Sequence, residues 1–343
     1  MKTKKILAIL LIVLAGLLAA TNVSASEADF FKGKTMTFIV PHPPGGGYDR
    51  IVRSLALPFQ ESLGLRVIVK NMPGANGIRS GNYLYKAKPD GLTIALIPGT
   101  TLILPVLDNT EGVSYDFTKY SFLGRVTAEQ KIFYVNPKGR LQSLDDIVNS
   151  PKPVTYGEQG VSVDPFVFMA GLKFAMKLPI QTVVGYSGHY AVELAIMNGE
   201  LDFGLGAVGS RYPKIHAGDL KPLAILGEDN PEEPEYRNLP LLPGKYELAP
   251  GGEQVMQAIK NINGAHRVVT APPGTPEKRR QLLEDTLYQS LNDPKVSKQW
   301  KKEGRVAKFL TGKEYKQLAQ AILDNPPKAL LDAWQREMKK VKY

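Results

Sequence analysis

Residues Pro41-His-Pro-Pro-Gly-Gly-Gly-Tyr-Asp49 decide how the rest of this chain is read. They close an apolar run that starts at Thr35, and they precede Ile51, Val52, Leu55, Phe59 and Leu63, which recur at helical spacing up to Gly64. Strand, triple-glycine turn and helix open a βαβ unit, and glycine amides at a helix N-terminus can come close to an anion. Pro58 inside the helical stretch predicts a kink or an early end. The loop matches neither the Walker nor the dinucleotide glycine fingerprint, and Asp49 would repel a phosphate. A plain tight turn is the competing reading of the glycines.

Working outward, apolar runs at 65–70 and 92–97 follow the first strand at a spacing of about 30 residues, that of successive βαβ units. Asn71-Met-Pro-Gly-Ala-Asn-Gly77 and Pro89-Asp-Gly91 are the turns between them. The alternation restarts near residue 130, with strands expected at 132–135, 154–156, 180–184, 201–205 and 222–226 and helices at 165–176 and 188–198. A long surface excursion is expected over 227–252, and a strand at 266–271 returns the chain to the first lobe. Helices are expected at 276–292, 294–303, 313–323 and 326–341. The fold class is thus α/β in two lobes, in keeping with a chain longer than one core usually serves. The expected division is a leader over 1–25, lobe I over 26–128 and 262–343, and lobe II over 129–261.

Lys2, Lys4 and Lys5 precede the apolar run Ile6 to Leu18, and Val23-Ser-Ala25 supplies the small residues a signal peptidase reads. Cleavage is expected after Ala25, since the run falls short of the roughly 20 residues a membrane span needs. The chain has no cysteine, which excludes disulfides, thiolate metal sites, a cysteine nucleophile and a lipid anchor on cysteine. Loss of the three leader lysines lowers the formal charge from +10 to +7. The basic residues are scattered, densest at Lys339, Lys340 and Lys342, and read as a solvated face rather than a nucleic-acid module.

No catalytic constellation emerges. Ser187 in Gly185-Tyr-Ser-Gly-His189 lacks the spacing of a nucleophile elbow and reads as a helix cap. His42, His189, His216 and His266 are the only histidines and no two stand at metal-ligand spacing, so no metal and no cofactor is expected. His42 lies in the glycine loop, where a ligand-facing donor and an ordinary surface role are both open. Asp145, Asp146 and Asp202 read as turn or helix-start residues.

The quoted stretch, with Val69-Lys-Asn-Met-Pro-Gly-Ala-Asn-Gly77, Pro89-Asp-Gly-Leu-Thr93, Met197-Asn-Gly-Glu-Leu-Asp202, Leu223-Ala-Ile225 and Ala271-Pro-Pro-Gly-Thr-Pro276, resembles the tripartite tricarboxylate transporter solute receptors of the TctC or Bug type. The motifs fall in the family's order across nearly the whole mature chain. The resemblance implies a type II-like "Venus flytrap" with two crossing hinge strands and a small organic acid gripped between the lobes. It implies a non-enzymatic, periplasmic monomer that hands its ligand to integral-membrane transporter subunits and binds no nucleic acid.

Carried onto this chain, the first ligand loop is His42 to Asp49, giving His42, Pro44, Gly45, Gly46, Gly47, Tyr48 and Asp49. The second lies within Gly157 to Asp164, giving Gly160, Ser162, Val163 and Asp164. Tyr186 is an expected wall of the cleft. Thr100, Thr101, Gly206 and Ala207 follow strands at the carboxyl edge where open α/β sheets bind ligands. The second loop departs from the family, whose usual Gly-x-Gly-Ser-x-x-His-Leu is here Gly160-Val-Ser-Val-Asp-Pro165; Asp164 could repel a second carboxylate or accept a ligand amine or hydroxyl. Three other readings stay open: a receptor reporting to a sensor kinase, an exported hydrolase on a two-lobed α/β fold, and a basic surface-binding protein.

Overall fold

The computed structural model describes residues 27–127, 130–227, 234–303 and 305–341, so the expected leader and Lys342 lie outside the described residues. A short helix α1 (Glu27–Phe31) leads into β1 (Thr35–Val40), α2 (Gly47–Leu63), β2 (Arg66–Asn71), α3 (Ile78–Tyr85), β3 (Thr93–Ile97), α4 (Gly99–Leu107) and β4 (Ser121–Arg125). The chain then crosses to β5 (Lys131–Val135), α5 (Leu144–Val148), β6 (Val154–Glu158), α6 (Asp164–Met176), β7 (Ile180–Val184), α7 (His189–Met197), β8 (Phe203–Ala207), α8 (Val208–His216), β9 (Lys221–Leu226) and α9 (Gly252–Gly264). It returns through β10 (Val268–Ala271) and ends with α10 (Glu277–Leu291), α11 (Pro294–Lys302), β11 (Leu310–Thr311), α12 (Gly312–Asp324) and α13 (Lys328–Met338).

Two sheets result, in the orders β11-β4-β10-β3-β1-β2 and β7-β6-β8-β5-β9. In each, three strands run parallel as the βαβ spacing requires, and antiparallel strands are added where the chain crosses from one sheet to the other. The returning strand β10 sits inside the first sheet between β3 and β4. Ser121–Arg125 and α9 were not expected as elements: the first is short, and the second lies at the end of the stretch read as a surface excursion.

Helix α2 runs through Pro58 without stopping. Its stripe Ile51, Val52, Leu55, Phe59 and Leu63 is buried on both sides of the proline, against β1, β2 and α10. Each such side chain contributes about 1.5–3 kcal/mol, and this burial offsets the lost backbone hydrogen bond. Trp300 Nε1 also donates to Ser54 Oγ at 2.9 Å, pinning α11 to the same helix one turn before the proline.

One apolar cluster joins the two units, with Ile97, Leu102 and Tyr315 from the first-sheet side and Phe133, Phe166 and Ile259 from the second. Gly99 lets α4 start flush against the return segment, since a Cβ there would stand 2.1 Å from the Ala265 carbonyl oxygen. The last helix, α13, leaves the first sheet and packs on α6 and α9. Trp334 Nε1 donates to the Val161 carbonyl at 2.7 Å, and Glu337 pairs with Lys173.

Candidate functional site

A cavity of about 400 Å³ lies between the two units. Five helices begin at its wall: α2, α4, α6, α7 and α8, with Gly46, Pro98, Val163, Gly188 and Ala207 as their caps. None of these caps makes a side-chain hydrogen bond to the helix it starts, so the positive ends of five helix dipoles meet here without one.

On the first-sheet side, Asp49 holds the glycine loop rather than facing the cavity. Its Oδ2 accepts from the Gly45 amide at 2.8 Å and Arg53 Nε at 2.9 Å, and its Oδ1 accepts from Asn71 Nδ2 at 3.0 Å. Burial alone would raise its pKa, but these hydrogen bonds overcome that and hold it at about 2. The Tyr48 hydroxyl lies 2.9 Å from His266 Nε2, and His266 Nδ1 lies 3.3 Å from Thr100 Oγ1. Thr100 donates its one hydroxyl proton to the Ile262 carbonyl at 2.8 Å, so toward His266 Nδ1 it can only accept. Arg267 follows with φ of +50°, a bulky residue in the left-handed region, and its guanidinium stands 5.2 Å from the Tyr48 ring centre.

On the second-sheet side, Lys131 Nζ meets Asp164 at 2.5 Å, with both side chains nearly buried. Arg211 Nε lies 3.2 Å from Glu193, and Arg211 Nη2 donates to the Tyr134 hydroxyl at 3.4 Å. Glu158 sits behind this wall and accepts from the Tyr156 hydroxyl at 2.9 Å and the Gln159 amide at 2.8 Å. Burial pushes its carboxyl up to about 7 against the pull of those hydrogen bonds and of Arg211. His189, 3.8 Å from Glu158, is shifted the other way by burial and by Arg211; with 42 % of its side chain exposed, solvent moderates that shift, and the ring is neutral at neutral pH.

Of the residues singled out from sequence, His42, Pro44, Gly46, Gly47, Tyr48, Thr101, Val163, Asp164, Gly206 and Ala207 line the cavity. Gly45 and Asp49 shape the loop, and Thr100 turns to Ile262 and His266. Gly160 and Ser162 precede α6 outside the lining, and Tyr186 packs beside Gly157 away from it. Sequence reasoning missed Lys131, Gln159, His189, Tyr190, Ser210, Arg211, His266 and Arg267, which complete the wall with others from the same loops. Lys131 carried a signal, a lone charge opening the apolar strand Ile132 to Val135.

The chain is similar to known proteins. The TctC model, "Tripartite tricarboxylate transporter family receptor", matches residues 51–332. The chain belongs to that family. It is a receptor, not an enzyme. Protein BugT of Bordetella pertussis (strain Tohama I) is 26% identical over 305 residues, covering 86% of this chain and 88% of that protein. Among solved structures, R. palustris Rpa4515 with adipate superposes with a TM-score of 0.71 at 19% identity, over 88% of this receptor and 97% of that chain. MatC (Rpa3494) from Rhodopseudomonas palustris with bound malate gives a TM-score of 0.60 at 17% identity, over 90% of this receptor and 97% of that chain. At those identities the likeness shows the fold: two α/β sheets arranged as in periplasmic binding proteins.

Proposed function

We propose that this receptor captures a small organic acid through its carboxylate in the cavity between two lobes and delivers it to the integral-membrane subunits of a tripartite tricarboxylate-type transporter. The observation that carries this reading is the meeting of Arg267 with the N-termini of α2, α4, α7 and α8 around one cavity, whose wall also holds the paired cations Lys131 and Arg211. The adipate and malate held by the two solved relatives support it. The lobes are the first-sheet and second-sheet units, the second completed by α13, and they hinge on the crossings between β4 and β5 and between α9 and β10. The leader sends the receptor to the periplasm, where it works as a monomer.

Hydrogen bonds to a charged group contribute about 1.5–3 kcal/mol each and a helix terminus roughly 0.3–1 kcal/mol. Four or five such contacts, less the cost of ordering the lobes, reach the ~8 kcal/mol of a micromolar complex without a metal. Among the described residues, no group of three or more His, Asp or Glu side chains could hold a metal ion.

A thermal-shift screen of the purified receptor against organic acids and their neutral amides tests this. A ligand at 100-fold over its Kd adds ~2.7 kcal/mol of stability. Stabilisation by an acid and not by its amide is expected; stabilisation by neutral or cationic compounds alone would remove the carboxylate from the reading.

A further inference from the structure

The charges around the cavity are unevenly divided. On the first-sheet side Arg267 and the start of α2 face inward, while the one acidic residue of the glycine loop, Asp49, is spent on Gly45, Arg53 and Asn71. On the second-sheet side each cation already has a carboxylate: Asp164 for Lys131 and Glu193 for Arg211. Among the described residues, Glu158 adds a third carboxyl group behind them. Asp164 is also the first residue of α6, where its own carboxylate takes the place an incoming anion would occupy at that helix end. The uncharged groups on this side, Gln159 and the neutral His189 ring, add hydrogen-bonding capacity without positive charge.

We infer that the ligand carries a single carboxylate, seated on the first-sheet side, together with a hydrogen-bond donor such as a hydroxyl, amide or ammonium group directed at Asp164, and that Asp164 turns away a second carboxylate. The inference rests on the carboxylate-receptor reading and narrows it. A second carboxylate would have to be desolvated beside Asp164, whose charge repels it and whose partner Lys131 is already engaged. A donor at the same place gains a charged acceptor. Thr101, from the first-sheet side, directs its hydroxyl at Asp164 Oδ1 from 3.5 Å.

Calorimetric titration of the receptor with chain-matched probes decides the point: butyrate, 4-hydroxybutyrate, 4-aminobutyrate and succinate, with their five- and six-carbon counterparts. The expected result is a donor-bearing monocarboxylate binding at least tenfold tighter than the dicarboxylate of the same length, and Asp164→Asn raising dicarboxylate affinity at least tenfold. If the wild type binds the dicarboxylate as tightly or tighter, the inference is overturned while the carboxylate reading stands. Butyramide and butylamine are titrated alongside: if they bind and none of the acids does, or if no probe binds, the carboxylate reading falls and takes the inference with it. Should Asp164→Asn fail to fold because Lys131 is left buried beside a neutral group, the wild-type ranking alone decides.

Discussion

The guanidinium of Arg211 lies against Gly206, so close that a Cβ on that glycine would stand 2.5 Å from Arg211 Cζ. The arginine cannot retreat, because it is buried and held by Glu193 at 3.2 Å on its other side. Gly206→Ala is therefore expected to push Arg211 off Glu193 and out of the cavity wall. Overpacking of this kind costs about 1–3 kcal/mol. Both the melting temperature and the ligand Kd should suffer, the Kd by roughly tenfold or more, since every 1.4 kcal/mol is a factor of ten. A variant with wild-type affinity would show that Arg211 plays no part in binding.

Lys131 and Asp164 make a buried pair whose halves depend on each other. Removing one partner leaves an uncompensated buried charge, at a cost of about 3–5 kcal/mol, whereas replacing both with apolar residues of similar size is often near neutral. Lys131→Met alone should be strongly destabilising in urea, and Lys131→Met with Asp164→Leu should recover most of the loss. The coupling energy from that cycle is expected to exceed ~2 kcal/mol. Simple addition of the two single costs would mean the pair is not the unit described here.

The first loop was open to reading from sequence because glycine, proline and tyrosine there serve local geometry: a strand ends, a turn needs unhindered amides, a helix begins. Val163 and Asp164 came from the resemblance of the second loop, and Gly206 and Ala207 from their place after a strand at the carboxyl edge of the sheet. Such readings failed for Lys131, Arg211 and Arg267, whose roles depend on which strand ends the topology brings together. Lys131 meets Asp164 only because β5, entered from the first crossing, lies antiparallel beside β8 and in the same sheet as β6, whose end leads to α6. Asp49 misled for the opposite reason: its acidity and place in the loop suggested ligand contact, yet three local donors consume it. Pro58 misled because burial of a continuous apolar stripe outweighs a local propensity.

Arg267 combines charge with a strained backbone, and a single substitution separates the two. At φ of +50° a non-glycine side chain costs about 1–2 kcal/mol, which glycine would relieve while giving back roughly 0.4–1 kcal/mol in unfolded-chain entropy. Arg267→Gly is thus expected to be at least as stable in urea as Arg267→Ala, which loses the same side chain but keeps the strain. Its affinity for the ligand carboxylate should fall by roughly 10–100-fold through loss of a charged hydrogen-bond donor. A large loss of stability with unchanged affinity would make Arg267 a scaffold residue instead.

Glu158 sets the expected pH dependence of folding. Its carboxyl is raised from 4.5 to about 7 in the folded receptor, so between those values the native state holds more protons than the unfolded chain. The associated stability is fully present below pH 4.5 and is lost as pH rises through about 7, an effect of at most ~3 kcal/mol. His189 acts in the opposite direction: with its pKa lowered, its contribution grows as pH rises through the ordinary histidine value. Because His189 remains in both proteins, the difference between wild type and Glu158→Gln isolates Glu158. The glutamine variant gives up one acceptor, worth about 1 kcal/mol, and should be the less stable protein at pH 5. As pH rises to 8 the wild type pays for a buried charge the variant does not carry, so the two urea-denaturation curves should converge and cross. Curves that stay parallel from pH 5 to 8 would show that Glu158 titrates alike in the folded and unfolded chain, and that its burial behind Lys131 and Arg211 does not govern its proton.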